Sequence, residues 1–386
     1  MEYRKFENLG VSPSLLGFGC MRFPQTPDGN IDEAEAERML DRALKAGVTY
    51  IDTAYPYHNG DSEPFVGKVL KKYDRKSFYL ATKLPVWNVK TLDDAKRIFQ
   101  EQLDRLDVDY VDFYLLHCLD KEKWQNVLNL GIIPYMEELK KEGKIKFFGF
   151  SFHDDFETFK TIATYRKWDF CQIQYNYVDT DIQAGDKGYE LTQELGIPLV
   201  IMEPVKGGSL ATLPDSVTEP FKDYKPNASI SSWALRWVAS KPNVKVVLSG
   251  MTTMEQVEDN LSTFENFTPL SLQEKEIVAD VATAIKQRTK NGCTGCAYCM
   301  PCPFGVNIPQ NFRIWNDCPC MKIKNRPNVP TLMTWKKMPG LTTARNAANV
   351  RKSVPRPCPS ATIWSALRKP WRIFDFLYSQ CTDLTE

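Results

Sequence analysis

An excess of either charge is missing from this chain: 49 Lys plus Arg stand against 48 Asp plus Glu over 386 residues, a net charge of +1. That balance argues against a nucleic-acid backbone or an anionic membrane surface as partner. No apolar run approaches the roughly 20 residues that cross a bilayer. The opening MEYRKFENLG lacks a basic stretch followed by an apolar one, so no export signal is read there and a cytoplasmic location is expected. The first strand-to-loop turn, GFGCMRFP, has no third glycine and no helix directly behind it, which weighs against a doubly wound dinucleotide fold. Cysteine is nearly absent before residue 290, where only Cys20, Cys118 and Cys171 occur, yet four of the 11 crowd between 293 and 302. Crowding of that kind in a chain without an export signal points to a metal or cluster site, not to disulfides.

What is present is a repeat of alternating elements. LLGFGC (15–20), VTYIDT (48–53), FYLATKL (78–84), DYVDFYLLH (109–117), KFFGFS (146–151), FCQIQYN (170–176), PLVIME (198–203) and VKVVLS (244–249) read as eight strands, and each gap holds a helix-length segment. Strand–helix repeats demand parallel strands, and eight of them close into a (β/α)8 TIM barrel. Asp32 is expected to cap the first helix with Glu35 completing a capping box. Met39, Leu40, Ala43 and Leu44 form that helix's buried stripe and Gly47 ends it. Leu92, Ala95, Ile98, Phe99, Leu103 and Leu106 recur at helical spacing. YRKFENLGVSPS, before the first strand, reads as a hairpin plugging the bottom of the barrel. Residues 271–290 read as an added helix with Leu272, Ile277, Val278, Val281 and Ile285 on its apolar side. The chain thus divides into a barrel (1–290), a cysteine-motif segment (291–317) and an irregular tail (318–386) rich in Pro, Arg and Lys.

In such barrels catalytic side chains sit at the C-terminal ends of strands. Asp52 closes the second strand, Tyr57 lies five residues on, Lys83 is near the end of the third and His117 ends the fourth. Each alone has an ordinary reading: a helix cap, loop packing, a solvated strand end, a satisfied core histidine. Four at consecutive strand ends facing one mouth form a chemical set. Hydride addition to a carbonyl builds negative charge on its oxygen, and a phenol of lowered pKa suits the proton delivery. A buried ammonium lowers that pKa, a carboxylate keeps the ammonium charged and placed, and an imidazole orients the carbonyl. Tyr57 is therefore the expected general acid, Lys83 its neighbour, Asp52 the partner of Lys83, and His117 the orienting group.

IDTAYPY, ATKLP, LLH, GFSFH, CQIQYN and VVLSG, in this order over roughly residues 3–265, resemble the aldo-keto reductase superfamily. The resemblance implies NADPH or NADH bound in extended form across the barrel mouth. By position it implies that Ser151 and Gln172 hold the nicotinamide carboxamide. It further implies that Ser249, Gly250, Met251, Gln256 and Asn260 serve the pyrophosphate and adenosine. The chain departs from the family pattern in having Phe152 where many members have Asn and Met202 where many have Tyr. It also lacks the basic residues that usually grip a 2′-phosphate around Met251–Gln256.

NGCTGCAYCMPCPFGVNIP places Cys293, Cys296, Cys299 and Cys302 at two-residue intervals with Pro303 next. Short gaps, Gly295 for the turn and a trailing proline suit thiolates around a 4Fe-4S cluster. Structural zinc, whose ligands usually come as two separated pairs, is the rival. The segment resembles the ferredoxin-like C-terminal extension of one aldo-keto reductase subgroup, whose members carry a second cysteine run. Here only Cys318, Cys320, Cys358 and Cys381 follow, irregularly spaced. A shifted frame permits cysteine across Thr343/Ala344, Asn346/Ala347, Asn349/Val350 and Ser353/Val354, the spacing of a second run. A divergent tail is the plain alternative.

Two functions follow. One is NAD(P)H-dependent reduction of an aldehyde or ketone, or the reverse oxidation of an alcohol, with the cluster structural or passing electrons to another protein. The other is an electron-transfer or redox-sensing iron–sulfur protein on a retired barrel. Substrate choice falls to loops 85–90, 118–130 and 205–226. There Trp87, Trp124 and Phe221 are candidates to line a pocket, with core or surface packing the other reading for each.

Overall fold

The computed structural model describes residues 1–289 and 307–310; the cysteine motif at 293–302 and the tail from 318 lie outside the described residues. Eight parallel strands close a barrel in sequence order. They are β1 (Leu16–Gly19), β2 (Tyr50–Asp52), β3 (Tyr79–Leu84), β4 (Val111–Leu119), β5 (Ile145–Phe152), β6 (Phe170–Gln174), β7 (Leu199–Met202) and β8 (Val244–Gly250). Closure runs through β8 and β1, with Leu16 opposite Val247 and Gly19 opposite Gly250. The helices are α1 (Glu33–Lys45), α2 (Ser62–Leu70), α3 (Leu92–Leu106), α4 (Lys121–Asn129), α5 (Ile132–Lys141), α6 (Phe156–Ala163), α7 (Gly185–Glu194), α8 (Asp215–Tyr224), α9 (Ile230–Ala239), α10 (Met254–Glu265) and α11 (Leu272–Arg288). None of them is long and apolar enough to cross a membrane. Met1–Leu213 with Thr218–Ala282 form one compact unit.

Two cores sort by the period of a strand, in which successive side chains take opposite faces. Tyr50, Ala81, Phe113, Leu115, Phe170, Val200, Val246 and Leu248 meet inside the barrel, with Phe6 from the N-terminal segment among them. Ile51, Leu80, Tyr114, Leu116, Phe148, Phe150, Cys171, Ile201 and Val247 face the helices. Gly17 has the inner parity, and a Cβ there would come within 2.7 Å of Val246 and 2.8 Å of Leu248, so the packed interior leaves room only for glycine.

The N-terminal hairpin forms as expected, through antiparallel bridges Tyr3–Ser14 and Phe6–Val11. It delivers a fully buried Phe6 against the Phe113 ring, centroids 5.5 Å apart. Two local expectations are corrected. Asp32 does cap α1 by accepting from the Glu35 N–H at 3.2 Å, but the reciprocal bond is absent. The Asp32 N–H goes to the Pro24 carbonyl and the Glu35 carboxylate to Arg38, so the box is half made. A complete box caps α3 instead, between Thr91 and Asp94, where the shorter carboxylate reaches back. On α11, Leu272 is 79% exposed, while Val278 and Val281 are buried as expected. The inward position near its start belongs to Glu274, whose carboxylate binds Arg236 (2.7 Å) and Lys225 (2.6 Å).

Candidate active site

The inner parity that fills the barrel with apolar side chains continues upward into polar ones. Two residues beyond Tyr50 stands Asp52, beyond Ala81 stands Lys83, beyond Leu115 stands His117, and beyond Phe170 stands Gln172. Asp52 ends β2 and Lys83 is the last inward residue of β3, while the register of β4 shifts around His117 and the buried Gln174 follows Gln172 on β6. Asp52, Lys83, His117 and Gln172 all lie toward the C-terminal mouth. Tyr57 opens a tight turn, Tyr57–Gly60, in the loop after β2. Its next three residues, His58, Asn59 and Gly60, all have positive φ (51°, 57° and 102°), as does Cys118 (58°) directly after His117. Left-handed backbone at the His58–Asn59 turn and at the irregularity of β4 beside His117 is strain of the kind held in place at functional sites.

Lys83 is fully buried and its ammonium has three acceptors: Asp52 Oδ1 at 2.7 Å, the Thr53 carbonyl at 2.8 Å and Tyr57 Oη at 3.3 Å. An ammonium has three hydrogens, so the set is complete. Because the Tyr57 oxygen accepts from Lys83, its own hydrogen is available in another direction. The Tyr57 and His117 rings meet edge to face with centroids 6.0 Å apart. All four residues of the expected set are thus brought together.

Burial pulls the Lys83 ammonium down, but the charges of Asp52 and Tyr57 and the hydrogen bonds to both outweigh it and hold its pKa above the usual lysine value. Burial raises the Asp52 carboxyl against the opposing pull of Lys83. Its Oδ2 has no hydrogen-bond partner. The Tyr57 phenol lies above its ordinary value, contrary to the expected lowering. Burial raises it, and Lys83 lowers it by less. His117 is pushed well below the usual imidazole value by burial, with Lys83, His153 and Lys123 adding to the effect, so the ring is neutral.

The residues expected at the cofactor divide in two. Ser151 Oγ accepts from the Cys118 N–H at 2.7 Å, which leaves its hydroxyl hydrogen to donate elsewhere. Gln172 is buried, with its amide N–H on Met202 Sδ at 3.5 Å and its Oε1 without a hydrogen-bond partner. Ser249 has the outer parity, and its hydroxyl accepts from Asn260 Nδ2 of α10 at 2.8 Å, so these two hold each other between β8 and α10. Gln256 accepts from the Thr252 N–H at 2.7 Å and so shapes the turn after β8. Met251 is buried, and Gly250 is exposed. A Cβ on Gly250 would come within 2.8 Å of Arg22 Cγ, which brings a cationic side chain to that turn. Phe152 packs on Phe159 of α6, centroids 5.2 Å apart, on the face away from the mouth.

Of the three candidate lining residues, Trp87 alone approaches the site, its ring centroid 5.0 Å from that of His117. Trp124 packs between Tyr165 and Trp168, and Phe221 stacks on Trp233 at 4.5 Å; both are structural packing. The sequence reading missed the Thr53 carbonyl, which no side chain signals. It also missed a buried polar cluster behind Lys83 formed by Glu63, Thr82 and Gln102. Gln102 was detectable as a polar residue on the apolar stripe Ile98, Phe99, Leu103, Leu106. Among the described residues no group of His, Cys, Asp or Glu is arranged to hold a metal.

A family model described as the aldo/keto reductase family matches residues 15–282. The NADH-specific methylglyoxal reductase of Escherichia coli is 24% identical over 327 residues, covering 72% of this chain and 97% of that protein. Aldo-keto reductase YhdN of Bacillus subtilis is 27% identical over 72% of this chain and 92% of its own length. Among solved structures, the holo form of an aldo-keto reductase from Bacillus halodurans superposes with a TM-score of 0.62 at 27% identity, covering 73% of this chain and 96% of that one.

Proposed function

This chain belongs to the aldo/keto reductase family and is an oxidoreductase of that family, and from that premise we propose that it reduces a small aldehyde or ketone with NADPH or NADH at the Tyr57–Lys83–Asp52–His117 site. One observation carries the assignment of roles. The Lys83 ammonium spends all three hydrogens on Asp52, Thr53 and Tyr57, so the phenol's remaining hydrogen is its one free donor beside a neutral imidazole. The reduced nicotinamide, when bound, supplies the hydride to the carbonyl carbon. Tyr57 delivers a proton to the oxygen as charge builds there, a contribution of about 10²–10⁴-fold. The phenolate left behind faces the Lys83 ammonium at the position where that cation already donates, and Asp52 keeps the ammonium charged. Neutral His117 donates to the carbonyl and sets its angle. Trp87 forms the apolar wall beside it.

The fit of a nicotinamide carboxamide rests on complementary vacancies in hydrogen bonding. Gln172 Oε1 is a buried acceptor without a partner, and the Ser151 hydroxyl has a hydrogen to give, matching an amide N–H and C=O. Gly250, Met251, Gln256, Ser249 and Asn260 form or brace the turn after β8 that would carry the pyrophosphate and adenosine. Met251–Gln256 contains no Lys or Arg, and the Escherichia coli relative is NADH-specific by name, so NADH is the nucleotide to test first. Intrinsic fluorescence quenched by NADH, with turnover of methylglyoxal lost in Tyr57→Phe and quenching retained, supports the reading. Undiminished turnover in Tyr57→Phe refutes it.

The four thiols Cys293, Cys296, Cys299 and Cys302 form the donor set of a 4Fe-4S cluster, in a segment (291–317) that follows the barrel (1–290). A cubane cluster passes single electrons and a hydride carries two, so its role here is structural or toward a separate electron-transfer protein. Iron and sulfide analysis with an anaerobic visible spectrum tests it, and a zinc content with no visible chromophore overturns it. Tail residues 318–386 are read as the out-of-frame remnant of a second run, which resequencing of codons 315–375 decides. An electron carrier on a retired barrel would instead show a reducible chromophore and no nucleotide binding.

A further inference from the structure

We propose that Glu63 is a positioning residue which, acting through Thr82 and Gln102, fixes the separation between Tyr57 and Lys83. The inference rests on the reading of Tyr57 as proton donor given above. The first two residues of α2 follow the Tyr57 turn directly and are bonded into the elements that carry the other site residues. Ser62 Oγ pairs with Thr53 Oγ1 (2.9 Å), next to Asp52, and reaches the Cys20 carbonyl at the end of β1 (3.3 Å). Glu63 is fully buried. Its Oε1 accepts from Thr82 Oγ1 (2.6 Å) and Gln102 Nε2 (2.8 Å), and its Oε2 lies 3.5 Å from Arg105 Nη1. The same Gln102 nitrogen donates to the Lys83 carbonyl (3.0 Å), and the Gln102 oxygen accepts from Tyr114 on β4 (2.7 Å), three residues before His117. Arg105 lies 4.0 Å over the ring of Tyr55, in the loop that leads to Tyr57.

Thr82 and Lys83 are adjacent on β3 and take opposite faces. The bond that draws the Thr82 hydroxyl outward to Glu63 therefore fixes how Lys83 projects inward. A buried carboxylate between strand and helix is a poor source of stability compared with apolar packing of the same volume. Its bonds converge on backbone and side chains next to Asp52, Tyr57 and Lys83, which is a geometric function. A misplacement near 1 Å at reacting groups lowers rates by up to about 10²-fold.

The test compares Thr82→Val, nearly isosteric but without the hydroxyl, with Thr82→Ser, which keeps it. Gln102→Met removes the donations to Glu63 and the Lys83 carbonyl through a second arm if the valine variant does not fold. Protein labelled with ¹³C at tyrosine Cζ gives a Tyr57 line, identified by its loss in Tyr57→Phe. Steady-state turnover of methylglyoxal with NADH gives kcat and KM. Expected are a displaced Tyr57 line and a kcat loss of about tenfold to a hundredfold, with the NADH KM little changed in Thr82→Val and both readouts restored in Thr82→Ser. A folded Thr82→Val or Gln102→Met with the wild-type line and wild-type kcat overturns the proposal. If the wild type itself turns nothing over, the reductase reading fails, and the Tyr57 line alone still decides whether the Glu63 cluster sets the phenol's position.

Discussion

Replacing Lys83 by Met removes a cation from a site where the carboxylate it neutralises has nowhere else to go. The Lys83 and Asp52 side chains are 0% and 3% exposed, and Asp52 Oδ2 already lacks a partner. Methionine matches the length of the stem and leaves the carboxylate, the Thr53 carbonyl and the Tyr57 oxygen without the ammonium. Breaking one side of a buried pair costs about 3–5 kcal/mol, which for a domain of this size lowers Tm by on the order of 10 °C.

The loss also depends on pH, in a direction the site determines. Burial already raises the Asp52 carboxyl, and Lys83 is the group that opposes the rise. Without Lys83 the folded pKa climbs further. Between the unfolded value of about 3.9 and that raised folded value, the folded protein holds a proton the unfolded chain does not, so stability falls as pH rises through the window. Urea unfolding of wild type and Lys83→Met at pH 5 and pH 8 should therefore show the smaller deficit at pH 5. Asp52→Asn combined with Lys83→Met should recover more than half of the pH 8 deficit and abolish its pH dependence. A deficit equal at both pH values, or a double variant as unstable as the single one, refutes the uncompensated-carboxylate argument.

His117, held neutral below the usual imidazole range, stays unprotonated in the fold while the unfolded chain takes up a proton below about pH 6.5. Wild-type stability should then decline as pH falls from that value, and His117→Gln should flatten this part of a Tm-against-pH curve; an unchanged slope counts against it. With the Tyr57 phenol above its ordinary value, carbonyl reduction should hold through neutral pH and fail only in the alkaline range, read from kcat/KM against pH. Trp87→Ala removes the ring 5.0 Å from His117 and should raise KM for the carbonyl several-fold with kcat within about threefold; an unaltered KM removes Trp87 from the pocket. Gly67→Ala puts a Cβ 2.5 Å from the Leu106 carbonyl oxygen where α2 crosses α3, and should cost about 1–3 kcal/mol in urea unfolding.

Strand-end chemistry was legible because one rule, alternation of faces along a strand, governs both the core and the site. A reader who sees Phe113 and Leu115 as inward residues must also place His117 inward, and the same step takes Tyr50 to Asp52 and Ala81 to Lys83. Periodicity was less informative at the start of α11. Leu272 fits an apolar stripe by spacing, yet Glu274 holds the inward position because Arg236 and Lys225 stand ready to pair with it, and those partners are 38 and 49 residues distant in sequence. The capping box at Asp32 failed for a related reason: Arg38, one turn on, competes for the Glu35 carboxylate.

Glu63, Thr82 and Gln102 show where sequence reasoning stops. Each is an ordinary polar residue within an element, and only the closing of the barrel brings α2, β3 and α3 into one hydrogen-bonded group behind Lys83. The tetrad can be found from three strand ends because Asp, Lys and His are rare at buried inner positions. Its support cannot, because Thr82 lies on the helix-facing side of β3 and Glu63 and Gln102 lie on helices, where polar side chains usually meet solvent. Their burial follows from helices packed over them. A phenol and an ammonium held 3.3 Å apart are therefore specified by two layers of sequence, of which the inner one identifies the chemistry and the outer one sets its geometry.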